Sequence, residues 1–138
     1  LEKIVDAGRL AASGNNRQPW DFIVVTDKEM IAKMQRPATM WIDKAGAVIA
    51  VVMDPKSRWW LEDGSAAIEN ILLASTALGY GSCWLEGYTL PYEEDYKELL
   101  GVPEGKRLLT LIPVGVATGW PDCPPKRSLE DVLHWERY

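Results

Sequence analysis

The sequence holds two cysteines, Cys83 and Cys123, and one histidine, His134. The cysteines make no C-x-x-C pair, and no ligand cluster surrounds His134, so a zinc or iron centre is not expected. Two cysteines cannot furnish a disulfide framework for 138 residues, which points to a reducing, cytoplasmic setting. Positive charge is not in excess either. A net charge of -5 gives nucleic acid no basic face and a membrane surface no polybasic patch. The longest apolar run, residues 45–53, is far too short to span a bilayer, and no signal peptide is visible. A G-x-G-x-x-G turn, a Walker A loop and a G-x-S-x-G elbow are all missing, and one histidine cannot support a convincing triad. Side-chain catalysis is therefore poorly supported, and no catalytic side chain is assigned. A cofactor that brings its own chemistry fits better.

The length suits a single domain over residues 1–138. Leu1 already lies inside a helical pattern with no capping residue before it, so upstream residues are expected. Leu1, Ile4, Val5, Gly8 and Ala11 or Ala12 share a helix face, predicting a helix that ends near Ser13 and Gly14. Residues 21–26 read as a strand with continuous apolarity, which suits burial on both faces. Asp27 caps a short helix carrying Met30, Ile31 and Met34, and Pro37 ends it. Residues 38–44 are ambiguous, 47–54 form a second buried strand, and 55–59 form a loop. Trp59 and Trp60 would point about 100° apart in a helix, which leaves at least one at a surface or interface. The helix over 60–78 is apolar nearly all round in its second half, which points to a subunit interface.

Residues 82–88 read as a short strand and turn. Pro91 opens a helix closed by Gly101, with Glu93, Glu94 and Asp95 in its first turn and Leu99 and Leu100 facing in. The strand 108–118 contains Pro113, implying an edge, a bulge or an irregular centre. After a Pro-rich loop over 119–127, Ser128 and Asp131 resemble a capping box for a last short helix. The tail, with Trp135 and Tyr138, has no core of its own and is expected against a partner chain. The fold class is α+β, a sheet flanked by helices.

The most distinctive stretch is residues 13–20, Ser-Gly-Asn-Asn-Arg-Gln-Pro-Trp. Gly14 and the paired Asn15 and Asn16 suit turn geometry or positive φ, and Pro19 biases Gln18 towards extended backbone. Ser13, Asn16 and Gln18 can then aim hydroxyl and amide groups at a planar polar ligand. The same residues also suit a plain helix end and turn. Glu86 also fits a solvated turn residue, and Lys126 with Arg127 an ordinary charged loop. Cys83 reads as a small buried apolar residue rather than a nucleophile, because nothing nearby would lower its pKa.

The loop 13–20 with the strand after it resembles the FMN-dependent nitroreductase family, whose members carry Pro-Ser-x-x-Asn-x-Gln-Pro-Trp there. Ala12 stands where the family has proline. The resemblance continues through residues 66–77, 78–88, 112–117 and 125–132, in family order. It implies a mixed sheet and an intertwined homodimer that encloses two FMN molecules at its interface. By resemblance, Ser13, Gly14, Asn16 and Gln18 contact the flavin from one subunit. Trp84, Leu85, Glu86 and Gly87 lie along the isoalloxazine, with a backbone N–H near Glu86 or Gly87 approaching the redox-active nitrogen. Lys126 and Arg127 meet the phosphate. Family members also carry an Arg-x-Ser-x-Arg phosphate segment upstream of the first helix, and this chain begins after that point. The implied reaction is ping-pong transfer of a hydride from NADH or NADPH through FMN to a small electron-poor acceptor, such as a nitroaromatic or a quinone. The alternatives are a non-catalytic FMN-binding dimer and a flavin-fragmenting or dehalogenating relative of the same fold.

Overall fold

All seven residues of one strand, β2 (Ala47–Met53), are buried, and the rest of the chain is laid around it. The computed structural model describes residues 1–119 and 122–138. Trp120 and Pro121, in the expected Pro-rich loop, lie outside the described residues. β2 pairs with β1 (Trp20–Val25) on one side and with β4 (Arg107–Gly115) on the other, and a two-residue β3 (Gly81–Ser82) flanks β4. The strand order is β1-β2-β4-β3. The α+β class is as expected, but every ladder among the described residues is antiparallel, where a mixed sheet was expected.

The continuous apolar run of β2 is explained by cover on both faces. On one face, Ile4 of α1 (Glu2–Arg9) and Ala67, Ile68 and Ile71 of α3 (Trp60–Ala77) pack on Ile49, Val51 and Met53. On the other, α2 (Lys28–Lys33), α5 (Glu93–Leu100) and the 3-10 segment Pro37–Lys44 bring Ile31, Tyr96 and Ile42 onto Val48, Ala50 and Val52. Gly8 lets α1 approach α3 closely, since a Cβ there would sit 2.8 Å from Ile71 Cγ1.

Local chemistry sets the helix ends. Asp27 accepts a hydrogen bond from Met30 N at 2.8 Å and caps α2 as expected. α2 stops at Lys33, before Pro37, which opens the following 3-10 segment instead. α1 is also shorter than its apolar stripe suggested and ends at Arg9. Pro91 falls in a 3-10 turn, Leu90–Tyr92, and α5 begins at Glu93. Gly101 closes α5 at φ 66°, a left-handed position that glycine takes without a side-chain clash.

Glu93 does more than oppose the helix dipole. Its carboxylate accepts from Arg107 Nε at 2.7 Å, Arg107 Nη2 at 2.8 Å and Leu108 N at 2.9 Å, tying α5 to β4. Burial pushes its pKa up, but the Arg107 bonds, the Leu108 N–H and the Arg107 and Lys97 charges outweigh that and hold the carboxyl below its usual value. The irregularity in β4 falls between its partners Val51 and Val52, where Leu109 has no opposite number.

Residues 122–138 are all exposed, and the hydrogen bonds described for them run within the segment. Ser128 and Asp131 form both bonds of a capping box, at 3.3 and 3.2 Å. The segment they close is nonetheless a turn, not the helix the motif suggested. Among the described residues no helix is long and apolar enough to cross a membrane.

Candidate flavin site

Two stretches singled out by sequence, 13–18 and 84–87, fall at opposite edges of the sheet. The first precedes β1, the outermost strand on one side, and the second follows β3, the outermost on the other. Three strand spacings separate those edges, roughly 14 Å. Gln18 lines a hollow of about 710 Å³ between α1 and β1 and another of about 410 Å³ beside Arg17, Lys56 and Lys106, and no residue of 84–87 lines either. Neither of these hollows, therefore, joins the two stretches.

The loop is held in an uncommon shape. Asn15, Asn16 and Gln18 have φ of 52°, 54° and 49°, a left-handed run that ordinary residues keep only when their surroundings hold it. Sequence reasoning anticipated positive φ at the asparagines, but for Gln18 it anticipated extended backbone. The proline argument restricts the residue before Pro19 by excluding right-handed helix, and here Gln18 escapes into the left-handed region. Its N–H donates to Ser13 Oγ at 3.1 Å and its Nε2 donates to the Asn16 carbonyl at 3.1 Å. Gly14 N donates to Asp63 Oδ1 at 2.8 Å, and a Cβ on Gly14 would lie 2.3 Å from Trp59 Cε3. Asn16 and Gln18 are exposed and Ser13 half-buried, so their polar groups are within reach of a ligand.

The opposite stretch is shaped by an unfinished ladder. The β3 register, continued, sets Cys83 against Pro113 and Leu85 against Leu111. Cys83 N donates to the Pro113 carbonyl at 3.3 Å, but proline has no N–H to return. Leu85 N donates to the Leu111 carbonyl at 3.2 Å, while Leu111 N turns to Thr89 Oγ1 at 3.2 Å. With both return bonds lost, the strand ends at Ser82 and the chain leaves the sheet into α4 (Glu86–Thr89). The expected strand and turn over 82–88 is thus two residues of strand followed by a helical turn.

Leu85 is buried in the core and Trp84 half-buried, with an indole N–H that has no partner among the described residues. The N–H groups of Glu86 and Gly87 make no hydrogen bond among the described residues, and a Cβ on Gly87 would meet open space. Cys83 is exposed, not buried as its residue type suggested, and partial burial pushes its pKa up, the wrong direction for a nucleophile. Trp59 and Trp60 are both half-buried, Trp59 against Gly14 and Trp60 under the Arg107 guanidinium at 5.4 Å. Lys126 and Arg127 are exposed on the tail, and Arg127 Nη2 donates to the Asp131 carbonyl. Among the described residues no His, Cys, Asp or Glu cluster could hold a metal.

Asp63 was missed by sequence reasoning. The signal was present, since it stands four residues before Ala67 and eight before Ile71, in phase with the buried stripe of α3. A carboxylate at such a position needs a partner.

The model of the nitroreductase family matches two segments of the chain, residues 1–58 and 39–116. A protein of Archaeoglobus fulgidus, described as an NADH dehydrogenase/NAD(P)H nitroreductase, is 46% identical over 125 residues, covering 83% of this chain and 71% of the relative. The crystal structure of a Bacteroides thetaiotaomicron protein of the same description superposes with a TM-score of 0.85 at 30% identity, over 99% of this chain and 83% of that one. An FMN-dependent nitroreductase from Clostridium difficile R20291 also superposes at 0.85, with 27% identity over 99% of this chain and 86% of its own. The family-model match, the sequence identity and the superpositions agree: this chain belongs to the nitroreductase family of oxidoreductases.

Proposed function

We propose that the protein is an FMN-dependent oxidoreductase that works as a homodimer, with one flavin site built by the 13–18 loop of one copy and the 84–87 stretch of the other. The observation that carries this reading is the placement of the two stretches at opposite edges of one sheet, where a single chain supplies half a pocket twice. The exposed apolar side chains support a partner copy: Leu61 and Leu73 on α3 with Leu78 just after it, and Leu129, Trp135 and Tyr138 on a tail whose hydrogen bonds, among the described residues, run within itself. Patches of this kind mark interfaces.

The residues present fit the cofactor. Ser13, Asn16 and Gln18 offer hydroxyl and amide groups suited to the uracil-like edge and ribityl hydroxyls. The open space over Gly87 and the unbonded N–H groups of Glu86 and Gly87 suit a flat ring brought close to the backbone. Lys126 and Arg127 carry the charge a phosphate needs. When bound, FMN supplies the redox chemistry, accepting a hydride from NADH or NADPH and passing reducing equivalents to a small acceptor such as a nitroaromatic or a quinone. The chain orients the ring, keeps water from its covered face and directs backbone donors at it, with no side-chain acid required. Reductant and acceptor occupy the same space in turn, which makes the kinetics ping-pong. The two free cysteines suit a cytoplasmic setting.

Colour tests the reading. The purified protein should be yellow, or turn yellow with added FMN, and bleach under anaerobic NADH or NADPH. A yellow protein that neither nicotinamide bleaches is a binder, and a chain that takes up no FMN is not a flavoprotein.

A further inference from the structure

We propose that Asp63 is a positioning residue, whose carboxylate holds the Gly14 amide and so keeps the 13–18 loop in its flavin-binding shape; this rests on the flavin reading above. Asp63 is 5% exposed, in the first turn of α3. A buried carboxylate is costly unless it is hydrogen-bonded. It does not cap its own helix, whose start has no side-chain cap bond. Oδ1 accepts from Gly14 N at 2.8 Å, on a segment 49 residues away in sequence, and Oδ2 accepts nothing among the described residues. The bond that offsets this burial is therefore the one to the loop.

The loop depends on it in turn. Gln18 N to Ser13 Oγ and Gln18 Nε2 to the Asn16 carbonyl close the loop on itself. Of the hydrogen bonds described for residues 13–18, the Gly14–Asp63 bond alone reaches another part of the molecule. Trp59, four residues before Asp63, lies against Gly14 and sets the other wall of the same seat. Three residues with positive φ follow within the next four positions, and such a run relaxes when its anchor is lost.

The test uses the full chain with Asp63→Ala and Asp63→Asn, reading amide hydrogen exchange at Gly14, Ile68 and Ile71 and the Kd for FMN by fluorescence quenching. Asp63→Ala should speed exchange at Gly14 and raise the FMN Kd, each by about tenfold or more, as loss of a hydrogen bond to a carboxylate implies. Ile68 and Ile71 should be unchanged. Asp63→Asn should bring both readouts back to within about threefold of wild type, because its side-chain oxygen can still accept from Gly14. The proposal is overturned if the alanine variant matches wild type, if faster exchange spreads evenly to Ile68 and Ile71, or if asparagine fails to rescue. A wild-type chain that takes up no FMN overturns the flavin reading instead, and Gly14 exchange then decides the positioning by itself.

Discussion

At Gly14 the demand for glycine is steric rather than conformational. It is not among the glycines with positive φ, yet a Cβ would fall 2.3 Å from the Trp59 ring. Gly14→Ala should cost about 1–3 kcal/mol in thermal or denaturant unfolding and weaken FMN binding. The cost should shrink in a Trp59→Ala background, measured as a double-mutant cycle. Asn16→Ala combined with Gln18→Ala should lower the flavin retained on purification while circular dichroism shows an unchanged fold, since both side chains are exposed. At this scale the sequence exposed the polar loop and its turn-forming asparagines. It hid Gln18's left-handed backbone, because a following proline excludes right-handed helix without choosing between the regions that remain, and the Asp63 anchor, because that bond joins residues 49 apart in the chain.

Helices and strands were largely legible as elements, since apolar periodicity and continuity reflect burial directly. Their ends were less so. The α1 stripe outran its helix, and the Ser128 and Asp131 box closed a turn with no helix behind it. Glu93 looked like a first-turn acid because its bond to Leu108 N lies in tertiary space. Its folded pKa is depressed, so the stability it contributes is fully present above the unfolded value and lost as pH falls through the folded one. Glu93→Gln should therefore flatten the acid limb of a stability–pH curve below about pH 5. Glu93→Ala should cost about 2–4 kcal/mol at neutral pH by orphaning Leu108 N and Arg107. Asp27→Ala should cost about 1 kcal/mol through the lost α2 cap. Urea titrations across pH check all three.

For the molecule as a whole, the order β1-β2-β4-β3 was not readable from sequence. Strand pairing is a long-range choice, and periodicity reports which residues are buried without reporting which strands are neighbours. On the homodimer reading, that order decides where the half-sites go, and with it the case for two copies. Leu73 is 59% exposed on α3. On the homodimer reading, Leu73→Glu should weaken dimerisation by about tenfold or more, because it forces a charge into an apolar contact. Sedimentation should show monomer and the colour should fade, while far-ultraviolet circular dichroism of the sheet persists.

Pro113 limits how this chain can change. Almost any replacement would restore an N–H facing the Cys83 carbonyl, lengthen β3 and add a bond to the edge ladder. On the proposed flavin reading, a longer β3 would hold the neighbouring residues 84–87 more firmly to β4, at the expense of their contact with a ring. On that reading, selection for heat resistance alone would reward such a replacement at the cost of flavin contact, so at this position robustness and usefulness pull in opposite directions.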